Sequence, residues 1–264
     1  ILNKEQKENF SNLLFNENNN INSIHKYFDE VYVITIPKRK EYIRKVMEKL
    51  KIKPIFFNAK LKDELDKEQL IKDNFIVPDY EGGDGRIACH YSHMSALKLF
   101  LDSEKDNCFI FEDDLKENDM SLDKLNNIID KLMDNIPSSY EIIYFGRCWD
   151  KCEKQNKISD NLVRAYFPQC RHAYGVSRNG AKIITENAYP MIIGGGDKII
   201  ANMIDKNKLE AYAITPPIFF QNREDLGSNL ANTDSLRECR IIRNTRGRKR
   251  RKKSRKRKSN KTRR

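Results

Sequence analysis

Strand-like and helix-like hydrophobic patterns alternate along this chain, and the alternation limits the folds that it can adopt. Residues 31–36 (VYVITI) form a β-branched run ended by Pro37, which is typical of a buried strand. Apolar residues then recur at helical spacing over residues 38–50, and residues 54–57 form a second strand-like run. A strand, a helix and a strand in this order predict a βαβ unit with parallel strands. The chain is therefore expected to have an α/β fold.

The rest of the chain continues this alternation without an apparent repeat. Further helices are predicted over residues 60–74, 86–101, 122–133, 180–187 and 197–205, and further strands over 108–111, 142–145, 162–167, 173–176 and 211–214. The strand over 162–167 is expected to be antiparallel. A length of 264 residues fits one sizeable α/β domain with appendages.

Charge is concentrated at the C-terminal end. The formal net charge is +12, but residues 243–264 contain no acid, and the remainder is close to neutral or slightly acidic. We therefore divide the chain into a peripheral N-terminal segment (1–28), a main domain (29–242) and a disordered basic tail (243–264). Such a tail suits nucleic acid or an acidic partner, although it lacks the interleaved aromatic residues that stack on bases. A purely solubilising extension is the alternative.

No run of about 18 apolar residues is present, so no membrane span is predicted. Because the sequence begins at Ile1 without a recognisable leader, we expect a fragment of a longer chain, and the compartment stays open. Cys89 and Cys108 lie in apolar context and are expected to be buried thiols. Two of Cys148, Cys152 and Cys170 are candidates for one disulfide, and no zinc-type CxxC pair occurs.

Three adjacent carboxylates, Glu112, Asp113 and Asp114, directly follow the apolar strand over residues 108–111. Ligands of open α/β sheets bind beyond the carboxyl ends of strands. Clustered carboxylates there favour a hard cation such as Mg²⁺ or Mn²⁺, which bridges to diphosphate oxygens. A solvated acidic loop is the competing interpretation of this triplet.

Five ordered sequence blocks resemble glycosyltransferase family 25, the lipooligosaccharide and procollagen galactosyltransferase group. These are VYVITIPKR (31–39), RIACHYSHMSALKL (86–99), FIFEDD (109–114), IYFGR (143–147) and AYGVSRNGA (173–181). The resemblance covers roughly residues 30–230. It implies a GT-A fold, a Rossmann-like arrangement with a mostly parallel mixed central sheet, a nucleotide-sugar donor and Mn²⁺, with Mg²⁺ as the alternative.

The resemblance also implies roles for individual residues. Asp114 would bind the metal together with Glu112, and Glu112 or Asp113 would hold the ribose of the donor or a second metal site. Arg39 would contact the uracil or a phosphate, although one more charge in the run 38–40 is the alternative. Ser92 and His93 would be hydrogen-bond partners at the donor site, whereas a helix histidine is more commonly structural.

Asp197 is the candidate general base. It follows three glycines, which allow the backbone to approach a substrate, and an inverting transfer needs a carboxylate to accept the acceptor's hydroxyl proton. Helix N-capping is the competing role. Many GT-A enzymes supply a late histidine to the metal, but no histidine follows His172, so Gln221 or Asp225 would replace it or the ligand would be missing.

These inferences predict a metal-dependent, inverting glycosyltransferase. It would move a hexose from a UDP-sugar to a hydroxyl of a protein, of the hydroxylysine type, or of a glycan. Galactose is the favoured sugar and glucose the alternative. The competing class is a catalytically silent, transferase-like protein whose basic tail binds nucleic acid or acidic partners.

Overall fold

The computed structural model describes residues 21–116, 120–151 and 154–227. The predicted basic tail and most of the predicted N-terminal segment lie outside these residues. In chain order, the elements are α1 (Ile24–Tyr27), β1 (Glu30–Thr35), a 3-10 turn (Pro37–Arg39), α2 (Lys40–Lys49), β2 (Ile55–Asn58), a 3-10 turn (Lys62–Glu64), α3 (Lys67–Lys72), α4 (Asp84–Asp102), β3 (Asn107–Glu112), β4 (Leu115–Lys116), α5 (Leu122–Met133), β5 (Ile142–Gly146), β6 (Leu162–Arg164), β7 (Ala173–Ser177), α6 (Arg178–Asn187), α7 (Gly196–Asp205), β8 (Ala211–Ile214), β9 (Phe220–Gln221) and α8 (Arg223–Leu226).

Seven strands form one mixed sheet in the order β2-β1-β3-β7-β5-β8-β6. Strands β2, β1, β3, β5 and β8 run in one direction, whereas β7 and β6 run in the opposite direction. This arrangement confirms the predicted Rossmann-like α/β fold with a mostly parallel mixed sheet. It also confirms the βαβ unit, since β1 and β2 pair in parallel across α2, and the antiparallel pairing of the strand that begins at Leu162. Strands β4 and β9 form a separate two-stranded ladder.

Alternating side chains of the central strands enter two different cores. Val31 and Val33 of β1 pack with α2 and α5 on one face of the sheet. Tyr32 and Ile34 pack on the other face, in the cluster that includes residues of α4, α6 and α7. The period of two in a strand thus buries both faces, which explains why these runs are apolar at nearly every position.

One predicted helix is wrong, and part of the predicted N-terminal segment packs into the core. Ile24 and Phe28, which belong to that segment, are buried in the first core, and the division of the chain into domains stays a prediction. The helix predicted over 60–74 is divided because Leu65 is extended and Asp66 caps a new helix, accepting a hydrogen bond from the backbone N–H of Gln69.

The reversed direction of β7 positions the site. Phe111, near the end of β3, pairs with Ala173 at the start of β7. The residues that precede β7 therefore meet the residues that follow β3 at one edge of the sheet. Within the described ranges, no helix combines the length and the apolar character that crossing a bilayer requires.

Candidate active site

A cleft of about 1040 Å³ opens at this edge of the sheet. Seven site residues predicted from the sequence line it: Arg39, Ser92, His93, Glu112, Asp113, Asp114 and Asp197. They come from the end of β1, the middle of α4, the end of β3 and the start of α7. Segments far apart in sequence thus converge on one concave surface large enough for a nucleotide-sized ligand.

Glu112 and Asp114 are held side by side by one amide. The Nε2 group of Gln221 donates to Glu112 Oε2 at 3.3 Å and to the two Asp114 carboxylate oxygens at 3.3 and 3.2 Å. The backbone N–H of Asn222 also donates to the Asp114 carbonyl at 2.6 Å. Strand β9 therefore fixes the first and third carboxylates of the triplet beside each other.

The environment of these carboxylates opposes two negative charges. Burial, followed by the charges of Glu112 and Asp113, raises the pKa of Asp114 to about 7. Burial also raises the pKa of Glu112, while His172 and Arg171 act in the opposite direction. Like charges in a desolvated site favour protonation unless a cation is present.

Asp113, the middle residue of the triplet, forms a buried ion pair. Its Oδ1 accepts from Arg39 Nη1 at 3.0 Å, and its Oδ2 accepts from the backbone N–H of Ile36 at 2.8 Å. Arg39 also donates to the carbonyl oxygens of Leu226 and Gly227. These contacts join the segment after β1, the segment after β3 and the end of α8. Donor contacts by Arg39 and Asp113 stay predictions.

Ser92 and His93 lie in the middle of α4 and line the cleft. Ser92 Oγ donates to the Ala88 carbonyl at 2.7 Å and accepts from the backbone N–H of Lys60 at 2.8 Å. His93 lies between the Tyr174 hydroxyl at 3.1 Å from Nδ1 and Glu112 Oε1 at 3.0 Å from Nε2. Burial lowers the pKa of His93 well below its usual range. Both side chains therefore support the cleft wall, and their contacts with a donor stay predictions.

Asp197 lies in the first turn of α7, after the N-cap residue Gly195. Its Oδ1 accepts from the backbone N–H of Lys198 at 2.9 Å, and its Oδ2 accepts from the backbone N–H of Cys170 at 3.1 Å. The carboxylate is only half-buried and lines the cleft. Each carboxylate oxygen has a further lone pair, so these bonds orient Asp197 without exhausting its capacity to accept a proton.

Arg171 is a cleft residue that sequence reasoning missed. It is 3 % exposed, and its Nη2 donates to His90 Nδ1 at 3.3 Å. His90 Nε2 is 2.7 Å from the Ala188 carbonyl, which can only accept, so Nδ1 is the acceptor for Arg171. Burial opposes the charge of Arg171, but surrounding groups that include Asp197 and Glu112 raise its pKa. A buried, charged guanidinium therefore faces the acidic floor of the cleft.

The direction of β7 explains why Arg171 was missed. In the sequence it stands in an irregular stretch between predicted strands, with nothing to show at which end of the sheet it lies. A short polar run, Arg171-His172, directly before an apolar strand was the available signal.

Neither residue proposed to replace the late histidine places an oxygen ligand beside Glu112 and Asp114. Gln221 is at the site, but its Oε1 accepts from Arg223 Nη2 at 2.6 Å, so its amide nitrogen faces Glu112 and Asp114. Asp225 is exposed and accepts from Asn222 Nδ2 at 2.9 Å. The two carboxylates are therefore the oxygen donors that the described residues offer at this point.

The cysteines divide into two kinds. Cys148 and Cys170 form a disulfide, which was one of the predicted pairings. Cys108 is a buried thiol as predicted, whereas Cys89 is only half-buried and lines the cleft. Cys89, His93 and Glu112 have ligand atoms within 4.8 Å of one another. The thiol of Cys89 therefore belongs to the cleft wall and not to the core.

Comparisons with known proteins agree with this arrangement. The profile of glycosyltransferase family 25 (LPS biosynthesis protein) matches residues 28–195. The chain is 26% identical over 205 residues to procollagen galactosyltransferase 2 of Homo sapiens, which covers 70% of this chain and 32% of that protein. It is 23% identical over 202 residues to procollagen galactosyltransferase 2 of Mus musculus, with the same coverage. The chain thus spans about a third of the length of these curated relatives.

Proposed function

Because the chain belongs to glycosyltransferase family 25, we propose that it transfers galactose from UDP-galactose to a hydroxyl group of a protein or glycan acceptor. The names of the two relatives support galactose as the sugar and a procollagen-type chain as the acceptor class. UDP-glucose and a lipooligosaccharide-type glycan are the alternatives to be tested beside them.

One observation carries the proposal. A single cleft brings Glu112 and Asp114, at the end of a central strand, together with Asp197 at the start of a helix and the buried Arg171. The first two suit a cation that accompanies a diphosphate, and the last two suit proton transfer and anion binding. Transfer of a sugar from a nucleotide donor to a hydroxyl group needs all of these groups near one another.

The donor set suits a hard divalent cation. Two carboxylates share one amide hydrogen-bond donor, and burial raises the pKa of both. We infer that Asp114 and Glu112 hold Mn²⁺, with Mg²⁺ as the alternative. When bound, such an ion would neutralise the charge that develops on the diphosphate leaving group.

The chain's own residues account for the remaining requirements. Asp197, oriented by the N–H groups of Lys198 and Cys170, would accept the proton of the attacking hydroxyl, as an inverting transfer needs. Arg171 would donate to a phosphate oxygen from a dry position, where a charge-assisted hydrogen bond is strong. Asp113 and Arg39, which bind each other, would keep the triplet in place.

A nucleotide-sugar hydrolysis panel tests the proposal. UDP-galactose, UDP-glucose and UDP-N-acetylglucosamine would be incubated with the protein, with and without Mn²⁺. We expect metal-dependent release of UDP, fastest from UDP-galactose. Asp114→Ala should abolish release with unchanged circular dichroism, and the matched acidic control Asp134→Ala, on an exposed helix end, should retain it.

Full hydrolysis by Asp114→Ala would remove the metal assignment. If no UDP-sugar binds or is hydrolysed with Mn²⁺, the enzyme proposal fails, and the silent, transferase-like protein with a binding tail becomes the better hypothesis. As a separate test, removal of residues 246–264 should leave donor hydrolysis unchanged, and a loss of hydrolysis would show that the tail is part of the site.

A further inference from the structure

A histidine and two sulfurs lie together at the cleft wall. Cys148 is in the loop after β5, Cys170 precedes β7, and His172 follows two residues later. One ring nitrogen of His172 and both Sγ atoms lie within 4.8 Å of one another. The Cα atoms of the two cysteines are 5.6 Å apart.

The ring of His172 is held with an unprotonated nitrogen that has no partner. Its Nε2 lies 3.1 Å from the Phe219 carbonyl, which can only accept, so Nε2 carries the hydrogen. The residue is 2 % exposed, and its Nδ1 is buried without a hydrogen-bond partner among the described residues. Gly146 makes this packing possible, because a Cβ there would collide with His172 and lie 2.8 Å from the Phe219 carbonyl.

A histidine that ligates a metal commonly donates its second ring N–H to a backbone carbonyl, as His172 does to Phe219. A buried polar atom without a partner also calls for an explanation, and an ion is one. The tautomer of His172 and its unpartnered Nδ1 therefore agree with a metal-ligand role, which the sulfurs cannot share while they form a disulfide.

We propose that, once the disulfide is reduced, Cys148, Cys170 and His172 Nδ1 bind a soft divalent ion of the Zn²⁺ class. A dithiol reductant supplies two electrons and two protons, which gives two cysteine thiols and the reductant's own disulfide. Binding of the ion by both sulfurs then releases two protons. Two thiolates and one imidazole are ligands that Zn²⁺ prefers, and water occupies the fourth position.

The residues around the two sulfurs favour binding of the ion by the reduced cysteines. Arg223 Nη2 lies 3.5 Å from Cys148 Sγ and 3.7 Å from Cys170 Sγ, and a neighbouring guanidinium stabilises thiolates. Cys170 lines the cleft, so a reductant and an ion have a path to the sulfurs. The ligands of this site are different from Glu112 and Asp114, although the Gln221 side chain contacts Cys148 Sγ as well as both carboxylates. The inference goes beyond the proposed transferase function.

Cobalt titration of the full chain tests the proposal without any activity assay. Oxidised and reduced protein would be titrated with Co²⁺ under anaerobic conditions after removal of the reductant. The reduced protein should show a thiolate-to-cobalt charge-transfer band that the oxidised protein lacks, and Zn²⁺ should displace it. Equal titration curves for the two forms, or no band in the reduced form, would overturn the proposal.

Two matched histidine variants identify the nitrogen ligand. His172→Gln can keep the donor to Phe219 while it removes Nδ1, and His25→Gln makes the same change at a partly exposed histidine on α1. Loss of a partner outside the ligand shell costs about 10–100-fold in metal affinity, so His172→Gln should cost at least as much. An unchanged affinity would exclude His172.

Should His172→Gln fail to fold by circular dichroism, Cys170→Ser provides the second test. Its loss of the charge-transfer band would support the site, and a retained band would assign the metal to other thiols.

Discussion

Substitution of Gly196 by alanine tests how the start of α7 is packed against α4. The backbone of Gly196 is not among the positive-φ glycines, so alanine is allowed there in conformation. Its Cβ, however, would lie 2.8 Å from the Cβ of His90 and closer still to His90 Nδ1 and Cγ. His90 cannot simply turn away, because it donates to the Ala188 carbonyl and accepts from Arg171.

The structure can respond to the added methyl group in two ways, and both lower the free energy of unfolding by a similar amount. If the backbone shifts, overpacking costs about 1–3 kcal/mol. If the ring of His90 is displaced instead, two hydrogen bonds are lost at about 1 kcal/mol each. We therefore expect Gly196→Ala to lower the free energy of unfolding by about 2 kcal/mol. If there were no collision, this glycine-to-alanine change would instead stabilise the protein by about 0.4–1 kcal/mol. The sign of the change in unfolding free energy therefore shows whether the collision occurs.

Urea denaturation of a double-mutant cycle is the assay. In the background of His90→Ala, the two closest contacts of the new methyl group disappear, although one Cβ–Cβ contact stays tight. The cost of Gly196→Ala should then fall by at least about 1 kcal/mol. Asn202→Ala, on the exposed face of α7, controls for helix propensity. A stabilised Gly196→Ala protein, or an equal cost in both backgrounds, would refute the packing argument.

Three further results are expected. Asp113→Asn should lower the free energy of unfolding by about 3–5 kcal/mol, because it leaves the Arg39 guanidinium buried without its counter-charge; an effect below 1 kcal/mol in urea would show that the pair is solvated. Reduction of the Cys148–Cys170 disulfide, which closes a loop with a sequence separation of 22, should lower it by about 3 kcal/mol, and equal urea midpoints before and after reduction would contradict this estimate. Acid should also destabilise the fold, because burial lowers the pKa of His90 to about 3 and the unfolded chain then binds a proton that the native state does not. Stability should therefore decrease as pH falls below about 6.5, by up to about 1.4 kcal/mol per pH unit from this residue. Urea curves at several pH values should show a shallower decrease for His90→Gln than for the parent protein, and identical slopes would contradict the assignment.

Local patterns predicted most of the secondary structure because apolar periodicity is a local property. The helices Leu122–Met133 and Gly196–Asp205 and the strand Ala211–Ile214 appear where the pattern placed them. The prediction failed over residues 60–74, where Asp66 capped a new helix and a helical pattern alone could not show the interruption.

The candidate site was predicted in part. The position of Glu112, Asp113 and Asp114 after a buried strand predicted their place at the sheet edge, and in the structure they line the cleft there. The sequence could not predict which of the three carboxylates forms an ion pair, because Asp113 pairs with an arginine 74 residues away.

What the sequence determined by itself was the α/β class, the order of elements and the acidic end of β3, all of which follow from neighbours in the chain. The tertiary structure alone decided which polar residues share the cleft. The antiparallel direction of β7 carries Arg171 and His172 to the edge where β3 ends, and its start pairs with Phe111. Strand direction depends on long-range pairing energies, so no local pattern could have placed that buried cation opposite Glu112 and Asp197.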